Sequence, residues 1–343
     1  MKGKYYFRLQ HKKKLYELEI KRNITVIQGD SGTGKTHLIS LLSSYLDYKL
    51  SGVGPGKNII VNTNADIDIL TNRDWSRGNV KYDNQVLFCD EGFAFLEDAD
   101  FINFVKSSNC YFVFITREPL NQLAYSTDEI YGIKVSNNIE HLESVYNEQF
   151  SIYNHENINN WLPDIILTED SGSGLTFWKK VAKNKNIKCD SSDGNGNIKN
   201  YLSKFNSDKK LLVVADNAAF GSQIDRVKSY IDTCDNIKLV LPESFEFMIL
   251  NSKIVYAEDL DDVLEHTYNF ADSKKYISWE DYYYEYLKLI TKNDKDIQYS
   301  KKNLREFYWK YNINKILRAN NLAQLCAREK TDLNLMNVFD PEE

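Results

Sequence analysis

The chain has 343 residues, of which 42% are hydrophobic and 13% aromatic, enough to bury a sizeable core in each of two globular domains. Its formal net charge of −6 excludes a uniformly basic nucleic-acid coat, but it does not exclude a local basic groove. The longest apolar runs are far shorter than a membrane span, and the N-terminus lacks the apolar core of a signal peptide. We therefore expect a cytoplasmic protein that contacts no membrane.

The first predicted element is a β-hairpin over residues 4–20. Apolar and polar residues alternate on both sides of the basic turn His11-Lys-Lys-Lys14, and this period of two is typical of strands with one buried face. The hairpin comes directly before the most informative stretch of the chain.

That stretch is a glycine-rich loop between a β-branched run, Ile24–Gln28, and a helical stripe of apolar residues. Glycine permits unusual backbone angles, so the N–H groups of such a loop can converge on phosphate oxygens. The loop also precedes a predicted helix, whose N-terminus favours anions. The residues predicted to bind a nucleotide are Gly29, Asp30, Ser31, Gly32, Thr33, Gly34, Lys35 and Thr36.

Two of these residues have more specific predicted roles. Lys35 would reach the β- and γ-phosphates, and the Thr36 hydroxyl would ligate Mg²⁺. The eight-position pattern is complete and lies between a strand and a helix, so it resembles the phosphate loop of P-loop NTPases.

An apolar strand, predicted within Gln85–Gly92, ends in two carboxylates and resembles a Walker B element. Asp90 is predicted to hold the Mg²⁺ shell, and Glu91 to polarise the attacking water. The alternative is a strand that merely ends in acidic residues. The next buried strand, Tyr111–Thr116, places Thr116 and Arg117 as catalytic candidates that sense the γ-phosphate, or else as a helix cap and a surface arginine.

The first domain is predicted to be a compact parallel α/β sheet. Besides the strands above, Asn58–Asn62 is predicted as a short buried strand and Ile130–Val135 as a fifth strand. Residues 137–162 are rich in Asn, Glu and Ser, which indicates a linker or edge structure.

A second alternating β/α unit follows, with predicted strands at 164–168, near 187, at 211–215 and at 237–241. Acidic residues follow three of these strands: Glu169, Asp216, and then Glu243 or Glu246. Because parallel strands end at one sheet edge, these carboxylates are predicted to form a second site for Mg²⁺ or Mn²⁺. The alternative is that they are turn and cap residues.

This second unit resembles the Toprim domain of topoisomerases, primases and the overcoming-lysogenization-defect (OLD) family of ATPase-nucleases. Glu169 with its following glycines is similar to the first Toprim element, and Asp216 with Gly221 is similar to the second. The chain departs from the pattern at Ala218, where the resemblance implies a second aspartate. It also lacks the Leu-Ser-Gly-Gly signature and the coiled-coil insertion of OLD proteins.

The expected organisation is a P-loop NTPase domain over 1–140, a linker over 141–162, a Toprim-like α/β domain over 163–257 and a helical region over 258–343. The expected cofactors are ATP and Mg²⁺. The expected activity is ATP hydrolysis that controls a degenerate Toprim-like domain in a phage-defence or mobile-element system. The resemblance implies a homo-oligomer that acts on nucleic acid or on a separate effector protein. It leaves open an OLD-like metal-dependent nuclease and a non-catalytic, ATP-dependent assembly scaffold.

Overall fold

The computed structural model describes residues 1–29, 34–71, 75, 82–91, 94–137, 139–146, 161–206 and 208–327. Over these residues the chain is an α/β protein with a large, mostly parallel sheet, a second parallel sheet and additional helices. It divides into two compact units. The first unit comprises Met1–Ser151, Asp216–Arg226 and Glu258–Glu285, and the second comprises Ile152–Ala215, Val227–Ala257 and Tyr286–Glu343.

The large sheet lies in the first unit and has nine strands among the described residues. Its strands are β1 (Tyr5–His11), β2 (Lys14–Ile20), β3 (Ile24–Gln28), β4 (Ile60–Thr63), β5 (Asp66–Ile69), β6 (Gln85–Asp90), β7 (Tyr111–Thr116), β8 (Ile130–Ser136) and β9 (Ile139–Ser144). Their order across the sheet is β4-β1-β2-β9-β8-β3-β7-β6-β5.

The five strands from β8 to β5 in this order pair in parallel. All six residues of β7 are buried, as expected for a parallel strand covered on both faces. The predicted hairpin is confirmed as the antiparallel pair β1–β2. A mixed sheet therefore extends the parallel core on the side of β8.

The prediction that Asn58–Asn62 forms a buried strand was wrong. The strand there, β4, is an edge strand antiparallel to β1, and none of its residues is buried. The parallel strand beside β6 is instead β5, whose Asp-Ile-Asp-Ile sequence alternates and so lacks the continuous apolar run of a buried strand. Similarly, β9 occupies part of the predicted linker, where it is antiparallel to β8.

The second sheet has four described strands, all parallel, at the positions that the sequence predicted. These are β10 (Ile165–Thr168), β11 (Lys188–Ser191), β12 (Leu211–Val214) and β13 (Ile237–Val240), in the order β11-β10-β12-β13. All four residues of β10 and of β12 are buried.

The described residues also form α-helices in both compact units. They are α1 (Lys35–Ser51), α2 (Ala99–Ser107), α3 (Ser173–Lys185), α4 (Ile198–Leu202), α5 (Ile224–Ile231), α6 (Phe245–Asn251), α7 (Leu260–Glu265), α8 (Thr267–Phe270), α9 (Trp279–Thr291) and α10 (Ile313–Ala319). Within the described ranges, no helix combines the length and the apolar character needed to cross a membrane.

The boundaries of the compact units differ from the predicted domain boundaries. Segment 258–285 belongs to the first unit although it lies far along the chain. The Asn23 amide donates to the backbone oxygens of Ser273 and Tyr276, and the Arg22 guanidinium lies 3.6 Å from the centre of the Trp279 ring. These contacts join the segment to the residues that precede β3.

Candidate functional site

Three neighbouring strands of the large sheet end at the same level. In the parallel register, Gln28 of β3 pairs with Thr116 of β7, and Ile115 of β7 pairs with Asp90 of β6. The residues that follow these strands therefore leave the sheet along one edge. Crevices at the carboxyl edge of parallel sheets are the usual ligand sites of α/β proteins.

The predicted phosphate loop leaves this edge after β3. Gly34 has φ +95°, a conformation that favours glycine, and it forms the N-terminal cap of α1. Lys35 is only 5% exposed, and its ammonium donates a hydrogen bond to the backbone oxygen of Gly29. This side chain therefore joins the two ends of the loop. Asp30, Ser31, Gly32 and Thr33 lie outside the described residues.

Asp90 lies at the end of β6, where its carboxylate accepts a hydrogen bond from the Glu91 backbone N–H at 2.9 Å. Burial raises the pKa of Asp90, and the Glu91 charge acts in the same direction. The same backbone hydrogen bond and the Lys35 charge lower that pKa in part.

The donor groups here suit a hydrated Mg²⁺ ion. The ion prefers oxygen ligands and is held in proteins by one or two carboxylates together with substrate phosphates. The Asp90 carboxylate and the exposed Thr36 hydroxyl are such oxygen donors. They are the residues that would hold the ion.

Glu91 forms an ion pair with Arg117, the first residue after β7. The distance from Arg117 Nε to Glu91 Oε1 is 2.7 Å, and the two side chains are 52% and 25% exposed. The sequence left the direction of this arginine open, between a phosphate contact and the surface. In the structure it points to the predicted catalytic glutamate.

Thr116 is 5% exposed and its hydroxyl is engaged locally. The hydroxyl donates to the backbone oxygen of Glu118 at 2.9 Å and accepts from the Glu118 N–H at 3.1 Å. These bonds form a local turn, and no helix begins in the described stretch between Arg117 and Ser126, so they do not match the helix-cap alternative for Thr116. A contact with the γ-phosphate stays a prediction.

A cleft of about 580 Å³ opens beside the Glu91–Arg117 pair. Its polar lining includes both partners of that pair, and its apolar wall includes Leu96, Ile102 and Leu123. The cleft adjoins the ends of β6 and β7, so it belongs to the same sheet edge.

A group of side chains on the other side of the loop was not predicted from the sequence. Glu140 of β9 accepts hydrogen bonds from Lys14 and from the Tyr16 hydroxyl, the latter at 2.7 Å. A Cβ added at Gly34 would lie 3.2 Å from Glu140 Oε2, so this carboxylate lies against the loop. The only sequence signal was the strand alternation around Lys14 and Tyr16, because Glu140 fell in a segment predicted to be a linker or edge structure.

The three residues of the predicted second metal site differ in burial, in secondary structure and in the compact unit to which they belong. Glu169 follows β10 and is half-buried, whereas Glu246 lies in the first turn of α6 and is 2% exposed. Both belong to the second unit, and Asp216 belongs to the first. Among the described residues, no group of three or more His, Cys, Asp or Glu side chains could hold a metal ion. The second metal site stays a prediction.

Glu246 takes part in a buried hydrogen-bond chain of the second unit. Its Oε1 accepts from the Tyr299 hydroxyl at 2.7 Å, and that hydroxyl lies 2.8 Å from Ser173 Oγ. Burial raises the pKa of Tyr299 well above its usual value, and the Glu246 charge raises it further. The neighbouring glycine loop is also closely packed. A side chain at Gly172 would not fit, because its Cβ would lie 2.3 Å from the backbone oxygen of Lys301. This glutamate therefore has a packing role in the second unit.

No protein-family model matches the chain, and no curated protein matches it.

The buried chain around Glu246 predicts a specific loss of stability. Tyr299→Phe removes the hydroxyl between Ser173 and Glu246, so the free energy of unfolding should fall by about 1–3 kcal/mol. Tyr256→Phe is the control, because Tyr256 is 82% exposed and its change should stay within about 0.5 kcal/mol. Urea unfolding measures both variants, and equal stability of the two would contradict the packing role.

Proposed function

We propose that the chain binds ATP with Mg²⁺ at the carboxyl edge of the large sheet and hydrolyses it to ADP and phosphate. The observation that carries the proposal is the level ending of β3, β7 and β6. A phosphate-type loop and a pair of carboxylates, 55 positions apart between Lys35 and Asp90, thereby lie at one edge of the sheet.

Each residue of this edge has a role that its chemistry supports. The N-terminus of α1 and the Lys35 ammonium bind phosphate oxygens, because both favour negative charge. Thr36 and Asp90 hold the metal ion through oxygen atoms. Mg²⁺, when bound, neutralises charge on the phosphates during transfer.

Glu91 orients the attacking water. Its carboxylate accepts a hydrogen bond from the water and aligns it for attack on the γ-phosphate. Arg117 holds one oxygen of this carboxylate at 2.7 Å and so limits the orientations that Glu91 can take. Positioning of this kind is a large part of catalysis in phosphoryl transfer.

Nucleic-acid cleavage by Glu169, Asp216 and Glu246 is not part of this proposal, since Glu246 is buried and bonded to Tyr299. The nucleic acid, effector and oligomer partners implied by the OLD resemblance stay predictions, as does control of the second unit by nucleotide.

Two substitutions separate binding from turnover. Lys35→Ala should weaken binding of a fluorescent ATP analogue by roughly ten- to a hundredfold, because a charged contact to phosphate is lost. Glu91→Gln should bind the analogue like wild type but release phosphate on the order of a hundredfold more slowly. Lys49→Ala is the control, because Lys49 is exposed in the last turn of the same helix. A wild-type chain that binds no nucleotide, or a Lys35→Ala variant that binds equally well, would sink the proposal.

The Glu91–Arg117 pair predicts a different kinetic pattern. Arg117→Ala should lower kcat by about tenfold or more with little change in nucleotide Kd, because the guanidinium acts through Glu91. The protein should lose little stability, since exposed ion pairs contribute about 0–1 kcal/mol. Arg117→Lys should recover part of kcat. Steady-state phosphate release measures the effect, and an unchanged kcat would remove Arg117 from the mechanism.

A further inference from the structure

The carboxylate of Glu140 lies at the end of the phosphate loop. A Cβ added at Gly34 would lie 3.2 Å from Glu140 Oε2 and 3.7 Å from the Tyr16 hydroxyl. Glu140 Oε2 accepts from that hydroxyl at 2.7 Å, and Glu140 Oε1 accepts from the Lys14 ammonium. Side chains of the paired strands β2 and β9, which are remote from each other in sequence, therefore lie beside the glycine that caps α1.

The Glu140 carboxylate is ionised at neutral pH. Burial acts to raise the pKa of Glu140, but hydrogen bonds from Lys14 and Tyr16 outweigh it, and the net pKa is lowered. The group therefore pairs an ionised carboxylate with the Lys14 side chain.

Residues 139–146 are also linked, through Asp225, to β3, the strand that precedes the loop. Tyr146, two residues after β9, donates a hydrogen bond to Asp225, and Gln28 at the end of β3 donates to the other oxygen of Asp225 at 2.8 Å. Residues 139–146 therefore connect to both the strand before the loop and the glycine after it.

The location of Glu140 creates an electrostatic conflict that Lys14 resolves. A helix N-terminus attracts anions, so a carboxylate beside Gly34 is stabilised there, but it would repel a phosphate at the same helix end. The Lys14 ammonium neutralises this carboxylate and restrains it. Removing the ammonium should thus be more harmful to phosphate binding than removing the carboxylate.

We infer that Glu140 and Lys14 are positioning residues of the phosphate loop: the carboxylate fixes Gly34, and the ammonium cancels the charge of the carboxylate. This inference rests on the proposed function, because the ligand of the loop is the nucleotide phosphate. It adds the β2–β9 pair, outside the loop sequence, to the determinants of nucleotide affinity.

Nucleotide titration of the full chain provides the first test. Glu140→Gln should raise the Kd for Mg·ATP roughly tenfold with kcat nearly unchanged, because the lost restraint on Gly34 outweighs the lost repulsion of the phosphate. Lys14→Met should raise the Kd further and more strongly at low salt, and the double variant should return to the value of Glu140→Gln. Glu17→Gln is the matched control, because Glu17 lies on the opposite face of β2, 58% exposed, in an ion pair with Arg8 at 3.4 Å.

If wild type binds ATP and the Glu140 and Lys14 variants bind it as tightly as Glu17→Gln does, the inference is overturned while the proposed function stands. If wild type does not bind ATP, the proposed function fails, and the inference fails with it as far as nucleotide affinity is concerned.

Hydrogen exchange gives a second test of the positioning that needs no nucleotide. The amides of His37 and Leu38 donate to the Gly34 oxygen at 3.0 and 3.1 Å. Glu140→Gln should speed exchange of these two amides several-fold, and Glu17→Gln should leave it unchanged. Equal protection in both variants would overturn the positioning of Gly34 whatever the nucleotide data show.

Discussion

The register of three parallel strands is the constraint on which the account of the site depends. Gln28, Thr116 and Asp90 lie at nearly the same level because β3, β7 and β6 pair in parallel without offset beyond one residue. A shift of one residue in any of them would turn its side chains to the opposite face. The level edge brings the end of β3, which leads into the glycine loop, and the carboxylates Asp90 and Glu91 to one side of the sheet, where we propose that they bind one phosphate group. Arg117 pairs with Glu91 at that edge.

The sequence was informative where a pattern is local. The β-branched run before Gly29 and the buried run ending at Asp90 each predicted a strand, because a strand buried on both faces needs a continuous apolar run. The strands of the second sheet were predicted for the same reason. By contrast, β5 and β9 have mixed, partly exposed sequences, and their pairing depends on partners distant in the chain.

The parts of the candidate site that escaped prediction are side-chain directions and long-range contacts. Nothing near Arg117 in sequence indicates that it pairs with Glu91, 26 positions earlier, and nothing near Glu140 indicates that it lies beside Gly34. Glu246 is a second example. Its position after a strand suggested a metal ligand, which stays a prediction, and nothing nearby in sequence indicated its hydrogen bond with Tyr299, far along the chain. Pairing of this kind is set by tertiary packing, which single-sequence patterns do not encode.

The central claim is that the edge formed by β3, β7 and β6 binds a nucleoside triphosphate, and thermal unfolding tests it most directly. A ligand that binds the folded chain stabilises it in proportion to RT ln(1 + [L]/Kd), about 2.7 kcal/mol at one hundred times Kd. The account predicts that the unfolding midpoint of wild type rises steadily with the concentration of Mg²⁺ and a nonhydrolysable ATP analogue, while that of Lys35→Ala stays nearly constant. A wild-type midpoint that does not move, or a Lys35→Ala midpoint that moves equally, would contradict it.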